Sequence, residues 1–178
     1  MIAPQYVVPY RKGNKSDYND ANAIAEAAQR DDMRFVPLKS QEQQDIQLIH
    51  RIRERLVGQR TALCNQIRGL LAEYGIVMAK GVKTLAKELP DVIEDAENTL
   101  SVLVREQMEA LSEELKDIDS RIKASDTRLE QTAKNHPVCQ QLMSMTGIGP
   151  VIATILYASI GKGQEFSNGR HLAAWLGV

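Results

Sequence analysis

The strongest constraint in this chain is a spacing. From Val104, apolar residues recur at Met108, Leu111, Leu115, Ile118, Ile122 and Leu129, in alternating steps of four and three, with Ser125 as the one polar member. A stripe of that period occupies one side of an α-helix nearly four heptads long, and it must be buried against another helix. A candidate partner lies upstream, where Ile46, Ile49, Ile52, Leu56, Leu63, Ile67, Leu70 and Leu71 form a second stripe. Ser40, followed by Glu42 and Gln43, reads as the start of that helix, and Gly75 reads as its stop. The spacing predicts helices over 41–74 and 100–132, folded back on each other as an antiparallel hairpin or coiled-coil arm. A three- or four-helix bundle is the alternative, in which the same stripe is ordinary core. Between the two helices, residues 76–99 read as shorter helical pieces broken at Gly81 and Pro90.

The ends of the chain have a different character. Tyr6-Val7-Val8, between Pro4 and Pro9, and the run Met33 to Leu38 are β-prone, so short extended segments are expected at 5–8 and 34–37. Ser16-Asp-Tyr-Asn-Asp20 followed by the Ala-rich run to Ala28 predicts a helix over about 16–30. Residues 138–178 are nearly uncharged and turn on Gly147-Ile-Gly-Pro150 between two apolar helical runs. Trp175 and Leu176 read as core.

Composition narrows the function classes. With 178 residues, 43% hydrophobic and 25% charged, the chain can bury a core, and wholesale disorder is excluded. No stretch approaches the ~18 apolar residues that a membrane span needs. Cys64 and Cys139 stand far apart, without metal-ligand spacing, which argues against a disulfide scaffold and points to a reducing, cytoplasmic setting. A net charge of −1 conceals an uneven distribution. Residues 41–90 carry eight Lys or Arg against five acids, a net of +3, and residues 91–130 carry five against twelve, a net of −7. A basic arm followed by an acidic one suggests nucleic-acid contact by the first, or pairing of the two with each other.

Three groups of residues are candidates for chemistry. Asp17 and Asp20 lie three apart at a helix start and project to one side, a spacing that can hold a divalent metal such as Mg²⁺, although local sequence by itself favours plain helix capping. Arg51, Arg53, Arg55, Arg60 and Arg68 span almost five helical turns, where they would contact phosphates or form a face paired with the acidic arm. Gly147, Ile148 and Gly149 form a helix-hairpin-helix pattern. Its glycines let a DNA backbone approach, and the N–H groups of the following helix can bind a phosphate without reading sequence. A structural tight turn is the competing reading. Arg170, in the turn before the last helix, is a further phosphate candidate. His50, His136 and His171 show no pairing in sequence and receive no catalytic role, and neither do the cysteines.

Taken in order, these pieces resemble a known family. Asn14-Lys-Ser-Asp-Tyr-Asn-Asp-Ala-Asn-Ala-Ile-Ala-Glu26, Arg34-Phe-Val-Pro-Leu-Lys-Ser40, the run from Gln59 through Asn65-Gln-Ile-Arg-Gly-Leu-Leu to Gly75, Thr146-Gly-Ile-Gly-Pro150 and Phe166-Ser-Asn-Gly-Arg-His-Leu-Ala-Ala-Trp-Leu-Gly177 are similar to the transposases of the insertion-sequence 110 family, the IS116/IS110/IS902 type, in its IS1111-like branch. The resemblance runs across nearly the whole chain. It implies a mainly α fold with three parts: over 1–40 the C-terminal remnant of an RNase H-like (RuvC-type) DEDD domain, over 41–134 a coiled-coil arm, and over 135–178 the start of a C-terminal domain.

The resemblance also implies an activity: cutting and rejoining DNA to move a bacterial insertion sequence, with four acids around Mg²⁺ and a nucleophilic serine. The partners it implies are DNA, a structured guide RNA, and further copies of the chain joined through the arm. Asp17 and Asp20 match the last two acids of the tetrad, and the Gly147–Pro150 turn matches the opening of the C-terminal domain. The other two acids and the serine have no counterpart here, and Ser144, Ser159 and Ser167 do not stand in that serine's place. The expectation is therefore a transposase fragment, inactive alone. The alternatives are a non-catalytic nucleic-acid-binding or oligomerisation module, and an unrelated structural coiled coil. The last has no use for the acid pair or the glycine turn.

Overall fold

A computed structural model describes residues 1–33, 35 and 38–177, with Leu176 described by its backbone alone. The described residues are mainly helical and contain no β-strand, only an isolated bridge between Ile2 and Phe35. The chain divides into two compact units, Met1–Ser40 and Gln41–Val178.

In the first unit the extended segment expected at 5–8 is instead helical. Helix α1 spans Pro4–Val7 and runs into a 3₁₀ turn at Val8–Tyr10. Both elements carry proline in the first turn. There the fixed φ of the ring suits a helix, and the missing N–H costs no hydrogen bond, so proline favours the helical option. Of the second expected extended segment, Phe35 forms the bridge to Ile2, while Arg34, Val36 and Pro37 lie outside the described residues. Helix α2, Asp17–Ala28, begins as expected at Ser16, whose side chain accepts a hydrogen bond from the Asn19 N–H. Ala23 and Ala27 are its buried face.

The second unit is built on two long helices, α3 (Gln41–Glu73) and α5 (Val102–Asn135). They run antiparallel, and two ion pairs one heptad apart fix their register: Arg53 with Asp126 and Arg60 with Asp119. Both predicted stripes are buried in large part. Leu56, Leu63, Ile67 and Leu71 of α3 face Met108, Leu115, Ile118 and Ile122 of α5. Ile52, counted in the stripe, is instead 40% exposed, and Cys64 takes a core position beside Leu63. The end of α3 follows the glycine signal. Gly75 adopts φ +78°, and the Ile76 N–H reaches back to the Leu71 carbonyl.

Helix α4, Val82–Glu94, covers the distal half of this pair. It runs straight through Pro90, where the sequence suggested a break. Leu85, Leu89 and Ile93 are spaced at four residues and all buried, and their burial outweighs the single backbone hydrogen bond that proline removes. Asn98 then ties the end of α4 to the start of α5, donating to the Val92 carbonyl and accepting from the Leu100 N–H and from Arg105.

At the other end of the pair, α6 (Pro137–Met143) and α7 (Pro150–Ile160) pack on Ile46 of α3 and on Leu129 and Ala133 of α5, forming a second core. Beside this apolar packing, the contact between α3 and α7 has a polar edge. Gln43 and Gln47 donate to the Tyr157 and Ala158 carbonyls in the last turn of α7. One turn further along α3, His50 Nε2 lies 3.0 Å from Thr154 Oγ1. That hydroxyl donates to the Pro150 carbonyl at 2.7 Å, so it accepts from His50, which fixes the neutral imidazole as the Nε2–H tautomer. Tyr157 donates its hydroxyl to Glu42 and stacks against His136 at 3.8 Å. Helix α8, Gly169–Leu176, is capped by Asn168 and packs Trp175 edge-on to Phe166. Trp175, expected in the core, is 54% exposed. The burial of Leu176 lies outside what is described.

Candidate nucleic-acid interface

The acid pair comes first in the chain. Asp17 and Asp20 both fall in the first turn of α2, behind the Ser16 cap. Asp17 is exposed. Asp20 lies 3.6 Å from the Arg11 guanidinium, a cation where a metal ligand would need a free carboxylate. Among the described residues, no cluster of three acidic, histidine or cysteine side chains stands ready for a metal. Mg²⁺ requires six oxygens in near-octahedral array. Several of these are normally waters, with one or two carboxylates from protein; of the two here, Asp20 is engaged by Arg11 and Asp17 is exposed.

The five arginines of α3 separate into three groups. Arg53 and Arg60 point across the hairpin to Asp126 and Asp119, at 2.5 and 2.8 Å. Arg68 is spent on backbone carbonyls, donating to Gly81, Ala79 and Cys64 and so holding the loop before α4. Arg51 and Arg55 face solvent. Arg55 touches only Gln59 of its own helix, and Arg51 has no polar partner among the described residues. The sequence left open whether the basic arm meets phosphates or pairs with the acidic arm. For Arg53 and Arg60 pairing is what is seen, while Arg51 and Arg55 remain available.

The glycine turn sits between α6 and α7. Gly147 has φ +90°, a backbone conformation that strains any residue with a Cβ, and it is exposed. Ile148 is half-buried against the second core, and its N–H is used by the Met145 carbonyl, so this residue anchors the turn. Gly149 is the N-cap of α7, which carries no side-chain cap. Pro150 has no N–H and the Ala153 N–H bonds the Gly149 carbonyl, so the Val151 and Ile152 N–H groups are the ones without an intrahelical acceptor, at the positive end of the helix dipole. Arg170 is exposed in the first turn of α8.

Sequence reasoning passed over the polar face of α3 that receives α7. Gln43, Gln47 and His50 repeat at steps of four and three, as core residues do, and that periodicity was the only available signal. His50 is held below its ordinary value by burial and then by the neighbouring Arg53 charge. Burial raises the thiols of Cys64 and Cys139, so neither is poised as a nucleophile.

Comparison with known proteins finds relatives among transposases. Residues 2–76 match the family described as a transposase of the DEDD type of IS110, and residues 139–178 match the one described as the transposase IS116/IS110/IS902 family. Over its full length the chain is 44% identical to the "Transposase for insertion sequence element IS1111A" of Coxiella burnetii, covering 49% of that protein. It is 41% identical to a "Probable family 20 transposase" of Pseudomonas aeruginosa, covering 53% of it, and 32% identical to the "Transposase for insertion sequence element IS1328" of Yersinia enterocolitica, covering 52%. The chain thus spans about half the length of the curated relatives it matches. No solved structure matches it. Two family matches at opposite ends, and full-length identity to insertion-sequence transposases in between, place the chain in the IS116/IS110/IS902 transposase family.

Proposed function

We propose that this chain serves DNA transposition by a bacterial insertion sequence, binding DNA as part of the machinery that cleaves and rejoins it. The observation that carries the reading is full-length identity of 41–44% to transposases of such elements. In this reading Arg51, Arg55 and Arg170, with the turn of Gly147, Ile148 and Gly149, meet DNA phosphates. Residues 1–40 belong to an RNase H-like domain, with Asp17 and Asp20 among its metal acids. The α3–α5 pair is a coiled-coil arm that joins copies of the chain, and a structured RNA is a further partner. The setting is cytoplasmic, in keeping with two buried free thiols. Among the described residues, no helix is long and apolar enough to cross a membrane.

The second reading is a non-catalytic nucleic-acid-binding or oligomerisation module. Its support is the Arg11–Asp20 ion pair and the lack of a third ligand beside the two acids among the described residues. One experiment addresses both. The purified chain is titrated with duplex DNA carrying insertion-sequence ends, over a range of salt, with its mass in solution measured alongside. Nicking in the presence of Mg²⁺ is then assayed. Salt-sensitive binding by an oligomer, without nicking, selects the module. Nicking that is lost in Asp17→Asn selects the catalytic reading. No binding at low salt refutes both roles on DNA and leaves self-association as the only role of the module.

A further inference from the structure

We propose that the groove between α4 and the α3–α5 pair is a second nucleic-acid site, in which Lys83, Lys87 and Lys123 bind the phosphodiester backbone. It rests on the reading that the chain acts on nucleic acid, but it is a separate surface from Arg51, Arg55 and the glycine turn. The groove encloses about 800 Å³, and its charged lining is Arg60, Lys83, Lys87, Asp119, Lys123 and Asp126.

The charge balance makes the case. The surrounding stretch 91–130 is strongly acidic. Yet both acids of the groove are already neutralised, Asp119 by Arg60 and Asp126 by Arg53. Lys83 and Lys87 stand one turn apart on α4, Lys123 faces them from α5, and all three are exposed with no carboxylate in ion-pair range among the described residues. Three uncompensated cations thus converge from two helices on one concave surface. Low-dielectric walls concentrate the potential of such a cleft, and an extended polyanion is the ligand it favours.

Two further features fit. The Arg60 side chain lining the groove keeps its Nε buried without an acceptor, a donor unused by the fold. The mouth is rigid, because Arg68 fixes the Gly81 and Ala79 carbonyls just before α4. Gly81 itself has φ +118°, and a Cβ there would meet Thr84 Oγ1 at 3.1 Å. Helix α4 has no side-chain cap, and Gly81, Val82 and Thr84 at its start line the groove. An acidic peptide would share the charge attraction, and polyglutamate is the probe that separates it from a nucleic acid.

The test uses the whole 178-residue chain with a labelled DNA duplex and a single-stranded RNA, between about 50 and about 200 mM salt. In the triple variant Lys83→Gln/Lys87→Gln/Lys123→Gln, the dependence of log affinity on log salt should be shallower by about one per lysine. Arg51→Gln/Arg55→Gln is measured in parallel. If the lysine variant matches wild type while the arginine variant loses binding, the groove is refuted and the broader reading stands. If the lysine variant loses binding and the arginine variant does not, the groove stands and the arm face does not. If wild type binds neither probe, both fall. Acetylation footprinting of wild type needs no variant. Protection of the three lysines over Lys116 and Lys134 supports the groove, and the probe that protects names DNA or RNA as ligand. No protection by either probe, or equal protection by polyglutamate, overturns it.

Discussion

The two ion pairs that set the register of the arm carry a quantitative prediction, clearest for Arg53 and Asp126. Both side chains are about one-third exposed and face each other directly across α3 and α5. At an effective dielectric near 20, two unit charges ~4 Å apart attract by about 4 kcal/mol. Desolvation and the ordering of two side chains remove most of that, leaving a coupling of about 0.5–1 kcal/mol for a partly exposed pair. Removing one partner alone costs more, because the other charge is left half-buried and unpaired. Arg53→Met and Asp126→Asn should each destabilise by about 1–1.5 kcal/mol, seen as a fall of about 2–4 °C in Tm per kcal/mol. The double variant should lose less than the sum, by the coupling energy. Thermal and urea unfolding followed by circular dichroism measure all four species, and at about 1 M salt the coupling should shrink as screening shortens to about 3 Å. The same double variant tests the assignment of Arg53 to the fold. Its affinity for a DNA duplex should stay at or slightly above the wild-type value, because an acid of the lysine groove is removed as well. A coupling indistinguishable from zero, or a tenfold loss of DNA binding, would refute the reasoning.

Other consequences follow from single positions. Leu89 is fully buried under α4, so Leu89→Ala should cost about 2–5 kcal/mol. Its neighbour Pro90 lies inside the helix, so Pro90→Ala should stabilise by about 1 kcal/mol or more, and both are read from melting curves. His50 is held below 6.5 in the folded state by burial and by Arg53, so protonation favours unfolding. Its contribution is constant above pH ~6.5 and is lost as pH falls below that value toward the lower folded pKa. His50→Gln should remove that part of the acid-side slope, and an NMR titration of the ring should show the depressed midpoint. Burial of Cys64 and Cys139 predicts that neither reacts promptly with a disulfide reagent at neutral pH in the native chain, while both react in urea.

The sequence by itself determined the helices and most of their buried faces. The stripe from Val104 to Leu129 and its counterpart from Ile46 to Leu71 are periodic signals, and periodicity survives any tertiary arrangement. The caps at Ser16 and the stop at Gly75 were legible for the same local reason: a side-chain acceptor or a positive φ acts within one turn. What failed were judgements that depend on what lies opposite. Pro4 and Pro9 mark a strand edge or a helix start equally well, and residues 4–10 took the helical option. Pro90 is a breaker in isolation and was overruled by the burial of Leu85, Leu89 and Ile93. Trp175 looked like core by type alone.

Tertiary structure decided the meaning of the charges. Five arginines on one helix are indistinguishable in sequence. Only the antiparallel register at Asp119 and Asp126 commits Arg53 and Arg60 to the fold, sends Arg68 to the loop carbonyls, and leaves Arg51 and Arg55 to solvent. That same register neutralises the acids of the groove and leaves Lys83, Lys87 and Lys123 uncompensated. A charge acts through its distance to other charges, and for residues dozens of positions apart in the chain only the packed helices set that distance.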